Sequence, residues 1–265
     1  MVGMKLIRRV LTGLIVALAA LVGGIALSVP LGWWLSGDVE AITNTRIPNG
    51  DGPEIAAFVA RPEGEGPFPA VIMVHEFWGL RVDITGKAET LAQEGYVVIA
   101  PDTFRGRSTS WIPTAIYQTV RTPQERVNAD LDAVYAWLTE QSNIDPERIA
   151  IIGFCYGGGV ALFYSLHNLD LTATGNFYGD RVTDVAALRT LPGPVLGVFG
   201  AEDNMISLES VRAFEAALEE ADVPHEVTIY ANVGHAFVSA PDPIRVGGAQ
   251  GRAWRQLLGF LSSNL

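Results

Sequence analysis

Cysteine occurs once in this chain, and it stands where a nucleophile would be placed. The run from Ile149 to Val160 reads as a strand, a sharp turn and a helix start, with Cys155 at the tip between Gly153 and Gly157. Flanking glycines let the backbone turn tightly enough to hold the middle residue in a strained, exposed position. A helix that begins just after the cysteine aims its positive end and free N–H groups at the sulfur, which predicts a thiolate. A thiolate attacks acyl carbons. Taken alone, a lone cysteine is more often a small buried hydrophobe than a reagent. Its downstream partners change the balance. Asp203 follows an apolar run ending at Phe199, and His235 follows another ending at Tyr230, with Gly234 letting its loop turn closely. His235 would take the thiol proton and later activate water, while Asp203 would fix the imidazole tautomer and stabilise the imidazolium. Glu202 competes with Asp203 for the acid role, and an acid at such a turn can also be only an N-cap. Among the other histidines, His167 reads as a helix-end or solvated residue and His225 as exposed. His75, beside Glu76 at a strand end, is the lesser candidate for a base.

The elements that must position these groups are legible as an alternation. Ala70–His75, Tyr96–Ala100, Ile149–Phe154, Thr174–Tyr178, Pro194–Phe199 and Glu226–Tyr230 read as strands. Most are continuous apolar runs, as expected for a parallel sheet covered on both faces. Helical patterns lie between them at about 83–94, 124–141, 157–167, 207–221 and 249–263. Asn49–Pro53 reads as a hairpin turn leading into Ala56–Ala60. The expected fold class is therefore α/β: a doubly wound, mostly parallel sheet with helices on both faces. Ligands bind such sheets beyond the carboxyl ends of the strands, which is where Cys155, Asp203 and His235 fall.

The chain divides at about residue 37. Lys5, Arg8 and Arg9 precede an uncharged stretch from Val10 to Gly37 that ends with Trp33 and Trp34. This exceeds the roughly 7–15 apolar residues of a signal-peptide core and matches a membrane-spanning helix with an interfacial tryptophan belt. Residues 1–37 are expected to be a membrane anchor, with the basic flank cytoplasmic and residues 38–265 exported as one catalytic domain. A long cleaved signal, giving a secreted protein, is the alternative. The 265 residues are 49% hydrophobic with a net charge of −11, and no basic stripe suggests a nucleic-acid partner. No disulfide can form within a chain holding one cysteine.

The motifs His75–Leu80, Gly95–Asp102, Gly153–Gly158, Gly200–Asp203 and Val233–Phe237 together resemble the dienelactone hydrolases, cysteine-dependent members of the α/β-hydrolase fold. They run in family order from about residue 50 onward. The resemblance implies hydrolysis of a small-molecule lactone or ester through a thioester. It also implies that Glu76 contacts the nucleophile and helps remove its proton when substrate arrives, and that the backbone N–H groups of Phe77 and Tyr156 hold the oxyanion. An arginine after the Pro101-Asp102 strand end binds substrate carboxylate in the family, so Arg105 or Arg107 is expected there. Where the family carries a second arginine this chain has Ser239, which predicts weak preference for carboxylated lactones. Trp78, Phe104, Trp111 and Tyr156 are candidates to line the pocket. No metal and no cofactor are expected, because His75-Glu76 lacks a second histidine at metal-binding spacing. A general carboxylesterase and an inactive α/β-hydrolase acting as a binding module are the alternatives. The intact set of Cys155, Asp203 and His235 argues against the inactive reading.

Overall fold

A computed structural model of the chain describes residues 37–265 and, within the N-terminal segment, residues 11, 12, 15, 16, 18, 22–24 and 26–33. Eight strands form one sheet in the order β1-β2-β4-β3-β5-β6-β7-β8. They are β1 (Thr45–Ile47), β2 (Ile55–Ala60), β3 (Phe68–Val74), β4 (Val97–Pro101), β5 (Ile144–Phe154), β6 (Ala173–Phe177), β7 (Val195–Gly200) and β8 (His225–Tyr230). β1 and β2 form an antiparallel hairpin, and β2 lies antiparallel to β4. From β4 onward every pairing is parallel. The apolar runs therefore became the parallel strands, and the Asn49–Pro53 turn became the hairpin.

Alternation within β3 shows why the runs are continuous. Val71 and Met73 face one core, while Ala70, Ile72 and Val74 face a second. The first core is closed by helices α1 (Val82–Ala92), α6 (Leu208–Glu220) and α8 (Gly248–Asn264), through Leu91, Phe214 and Trp254 among others. The second is closed by α3 (Gln124–Thr139) and α4 (Tyr156–Ser165), through Leu131 and Tyr164. A strand apolar on both faces is the signature of this two-sided cover.

The alternation of strands and helices left three helices unmarked. Helix α2 (Ile112–Val120) fills the stretch between β4 and α3, with Pro113 in its first turn, where the missing N–H is no loss. Two further short helices, α5 (Val185–Leu188) and α7 (Pro243–Val246), are each capped by an aspartate, Asp184 and Asp242. Residues 26–33 are helical, and Val29 is buried where this segment meets α2. The Thr114 hydroxyl donates to the Val29 carbonyl at 3.2 Å, and Trp111 Nε1 donates to the Ser28 hydroxyl at 3.1 Å. Much of the expected anchor, residues 1–37, lies outside the described residues. Among the described residues no helix is long and apolar enough to cross a membrane.

Candidate active site

The site is assembled at the carboxyl ends of β3, β5, β7 and β8. Cys155 follows β5 and precedes α4, with φ of 53° and ψ of −115°. A non-glycine residue held at such a dihedral pair stores roughly 1–3 kcal/mol of strain. The surrounding glycines show what enforces it. A Cβ at Gly153 would sit 2.0 Å from the Gly157 carbonyl oxygen, and one at Gly157 would sit 2.3 Å from that of Val74. The turn is thus packed backbone against backbone, and the cysteine has nowhere to relax.

His235 Nε2 lies 3.1 Å from Cys155 Sγ. Its Nδ1 lies 2.8 Å from Asp203 Oδ2. A carboxylate only accepts, so Nδ1 carries the hydrogen and Nε2 is the acceptor facing the thiol. The Asp203 side chain is fully buried and also accepts from the Met205 and Ile206 N–H groups at 2.7 and 3.0 Å. It therefore acts at once as the loop's cap and as the partner of His235. Tyr178 packs its ring edge-on against His235 at 5.3 Å between centroids and donates to the Val238 carbonyl at 3.3 Å, bracing the histidine loop.

The backbone N–H groups of Tyr156 and Phe77, the two expected oxyanion donors, favour the charged form of the Cys155 sulfur. The expectation of a resting thiolate is corrected. Burial, and next the nearby Glu76 carboxylate, push the Cys155 thiol up to about 12. The two N–H groups pull the other way, but desolvation outweighs them. Glu76 is itself pushed up to about 7, chiefly by burial, against the pull of Lys87 and Arg81. Lys87 is fully buried behind the site, 3.6 Å from Asp83 and 5.2 Å over the Phe154 ring. Nothing in the pattern around it marks this cation as buried.

Phe77, Tyr156, Tyr178, Arg181, Met205 and Ile206 surround Cys155 and His235 in a cleft of about 240 Å³. Three residues expected to bind substrate lie elsewhere. Arg105 is bound in a fork to buried Asp130, at 2.7 and 3.2 Å. Arg107 lies 4.6 Å over the Trp33 ring. Both line a separate cleft with Arg121 and Arg126. Trp78 packs on Phe77 at 4.3 Å and its carbonyl accepts from the Thr109 N–H, so it supports the oxyanion loop from behind. The cation that does face the nucleophile is Arg181, just after β6. It donates to the Gly179 carbonyl at 3.1 Å, and its buried Nε has no hydrogen-bond partner among the described residues. Position was the one available signal: Arg181 follows a strand end, as the other site residues do.

The remaining histidines take supporting places. His75 is buried, donates from Nδ1 to the Glu76 carbonyl at 2.7 Å and accepts at Nε2 from the Thr103 N–H at 3.3 Å. Burial lowers it to about 4, so it stays neutral and orders the Glu76 loop. His167 pairs with Asp132 at 3.0 Å on the surface, and His225 meets the Val223 carbonyl at 2.7 Å. No cluster of metal-ligating side chains occurs among the described residues.

Known proteins share this architecture and sequence. A protein of Escherichia coli strain K12 named "Putative carboxymethylenebutenolidase" is 34% identical over 229 residues, 81% of this chain and 84% of its own length. A Yersinia pestis protein of the same name is 31% identical over 237 residues, 83% of this chain and 87% of its own. A crystal structure described as "Putative Dienelactone Hydrolase" from Klebsiella pneumoniae superposes with a TM-score of 0.73 at 31% identity, covering 85% of this chain and 97% of that one. The family model of the dienelactone hydrolases matches residues 55–265, which hold every strand from β2 onward and all the groups that meet at Cys155. The chain is a hydrolase and belongs to the dienelactone hydrolase family.

Proposed function

We propose that this hydrolase cleaves a carboxylic ester or lactone by covalent catalysis, with Cys155 as nucleophile, His235 as proton carrier and Asp203 as its orienting partner. The observation that carries the reading is the relay from Asp203 through His235 to one sulfur, with Nδ1 2.8 Å from Asp203 Oδ2 and Nε2 3.1 Å from Cys155 Sγ, beside the backbone N–H groups of Tyr156 and Phe77. As Sγ attacks the acyl carbon, the thiol proton passes to Nε2 and the C–S bond forms. The carbonyl oxygen takes up the negative charge between the two N–H donors. Collapse expels the alkoxide, which takes the proton from Nε2 and leaves a thioester. Water then attacks, gives its proton to Nε2, and the C–S bond breaks to return acid and thiol. Glu76, poised at about 7, serves as a second acceptor for the thiol proton once substrate displaces water from the cleft. Arg181 gives an acyl-side carboxylate or another electron-rich group a partner.

The decisive experiment uses mass spectrometry on enzyme quenched during turnover of a p-nitrophenyl ester. An acyl adduct on the peptide bearing Cys155 is expected, together with complete loss of hydrolysis in Cys155→Ala. An alanine variant with normal turnover overturns the mechanism. We propose further that residues 1–37 tether the catalytic domain to a membrane. The support is the uncharged run from Val10 to Gly37 behind three basic residues.

A further inference from the structure

Helix α2 is amphipathic in reverse. Its inward face, with Thr114, Ala115 and Gln118, is buried against the body. Its outward face carries Ile112, Ile116 and Val120 at intervals of four residues, and these are 57%, 53% and 77% exposed. Four-residue spacing puts all three on one stripe. Next to this stripe, the N-terminal helical segment exposes Leu27 and Leu31, again four apart. The two stripes adjoin, since the segment is held to α2 through Trp111, Thr114 and Trp33. Monomeric proteins rarely leave contiguous apolar patches bare, and patches rimmed by polar residues mark partner or membrane surfaces.

The rim identifies the partner. On a chain of net charge −11, Arg107 and Arg121 line a cleft beside α2, where their neighbours Arg105 and Arg126 are taken up by Asp130 and the Thr103 carbonyl. Arg107 and Arg121 lie over the rings of Trp33 and Tyr117, at 4.6 and 6.0 Å. Arginine above an apolar belt edged with tryptophan and tyrosine is the composition of a helix lying in a lipid interface: apolar side chains toward the acyl region, guanidinium groups at the phosphates. The same helix carries Thr119 into the catalytic cleft, whose rim includes strongly exposed Met205. We propose that the outward face of α2, with Leu27 and Leu31, rests on a phospholipid bilayer and turns the mouth of the catalytic cleft toward the lipid surface. This goes beyond ester hydrolysis and beyond a tether, which fixes the chain to a membrane without fixing which face meets it.

The test is a depth measurement on the full chain, in vesicles of phosphatidylcholine and phosphatidylglycerol. With Cys155→Ser as background, single nitroxides are placed through Ile112→Cys, Ile116→Cys and Val120→Cys, and a control through Glu209→Cys on α6. The three α2 labels are expected to relax at least fivefold more with oxygen, relative to a water-soluble nickel chelate, than the control. Labels as water-accessible as the control overturn the proposal, even when the chain stays with the vesicles as a tethered protein must. Spin–spin broadening among the α2 labels, the mark of a second copy seated on the stripe, overturns it too. Activity plays no part in this readout, so a failed hydrolase reading leaves it intact. A second measurement keeps Cys155. Ile116→Asp combined with Val120→Asp should leave turnover of a short soluble ester within twofold and lower that of a bilayer-embedded ester at least tenfold. Equal turnover of both esters by the double variant and the wild type overturns the proposal.

Discussion

The chemistry at Cys155 depends on a conflict between neighbours. The sulfur sits at a helix start with two N–H groups on it, yet burial and the Glu76 charge keep its proton in place. Alkylation by iodoacetamide should therefore accelerate with pH well beyond 9, with no plateau near neutrality. Glu76→Gln should speed alkylation at pH 7 severalfold, because it removes an opposing charge while the burial stays. The same substitution makes a stability prediction. The Glu76 carboxyl titrates near 4.5 when unfolded and at about 7 when folded. A raised value leaves stability intact below the unfolded value and erodes it as pH rises to the folded one, because the unfolded carboxyl ionises while the buried one holds its proton. Thermal melts of Glu76→Gln and wild type should coincide near pH 4 and diverge through pH 7, the variant becoming more stable by an order of 2–3 kcal/mol. A constant difference at all pH values would show that the burial cost lies elsewhere. Arg181, the arginine lining the cleft, is the residue to test for selectivity. Losing one charge-assisted contact costs roughly 1.5–3 kcal/mol, so Arg181→Ala should lower kcat/KM for an ester bearing an acyl-side carboxylate about ten- to a hundredfold. A matched neutral ester should change less than threefold, which a competition assay on the two esters reads directly. Cys155, Asp203 and His235, which the fold brings within 3.1 and 2.8 Å of one another, stand out in the sequence because each follows an apolar strand with a glycine nearby. The arginines after β4 were misplaced by the same reasoning, because spacing along a loop does not say which way the loop turns. Asp130, on α3, decides it by holding Arg105.

At the scale of elements, the turn between β5 and α4 tolerates no added atom. Gly157→Ala would drive a Cβ into the Val74 backbone oxygen at 2.3 Å, where no side chain can swing aside. A loss of about 3 kcal/mol or more is expected, at or above the upper end of overpacking costs, and urea denaturation should show it as a lower midpoint. Helix α2 acts on the same site from the opposite side. Gln118 donates to the Phe77 carbonyl at 2.7 Å, which fixes the peptide beside the oxyanion donor. Gln118→Met keeps the bulk and removes the donor. It should lower kcat by about tenfold, the worth of one buried hydrogen bond, with little change in KM. This helix left no mark in the apolar pattern because its hydrophobic residues face outward. The period is present, but its phase points away from the core, and Pro113 at the start reads as easily as a loop. The parallel strands were legible for the opposite reason. Burial on both faces makes each an unbroken apolar run.

For the molecule as a whole, the order of strands was not legible, because apolar runs specify that a sheet is buried and not which strand lies beside which. The antiparallel β2 against β4 is the clearest case: the hairpin turn was readable, its docking partner was not. The expected boundary near residue 37 rests on composition alone, since residues 10–37 carry no charge and the acidic residues all lie beyond them. The tether predicts that full-length protein stays with membranes through alkaline carbonate washing. Release of a chain beginning near Val29 would instead reveal a cleaved signal.

One consequence reaches beyond turnover. The chain holds one thiol, and burial together with the Glu76 charge keeps the proton on it at neutral pH. Peroxide reacts with the ionised form, so under the proposed cysteine mechanism this enzyme should still age slowly under oxidative stress. With no second cysteine in the chain, a sulfenic acid once formed has no internal route to a disulfide. Protection must lie in keeping the sulfur idle between substrates, and the ester that summons its reactivity also shields it.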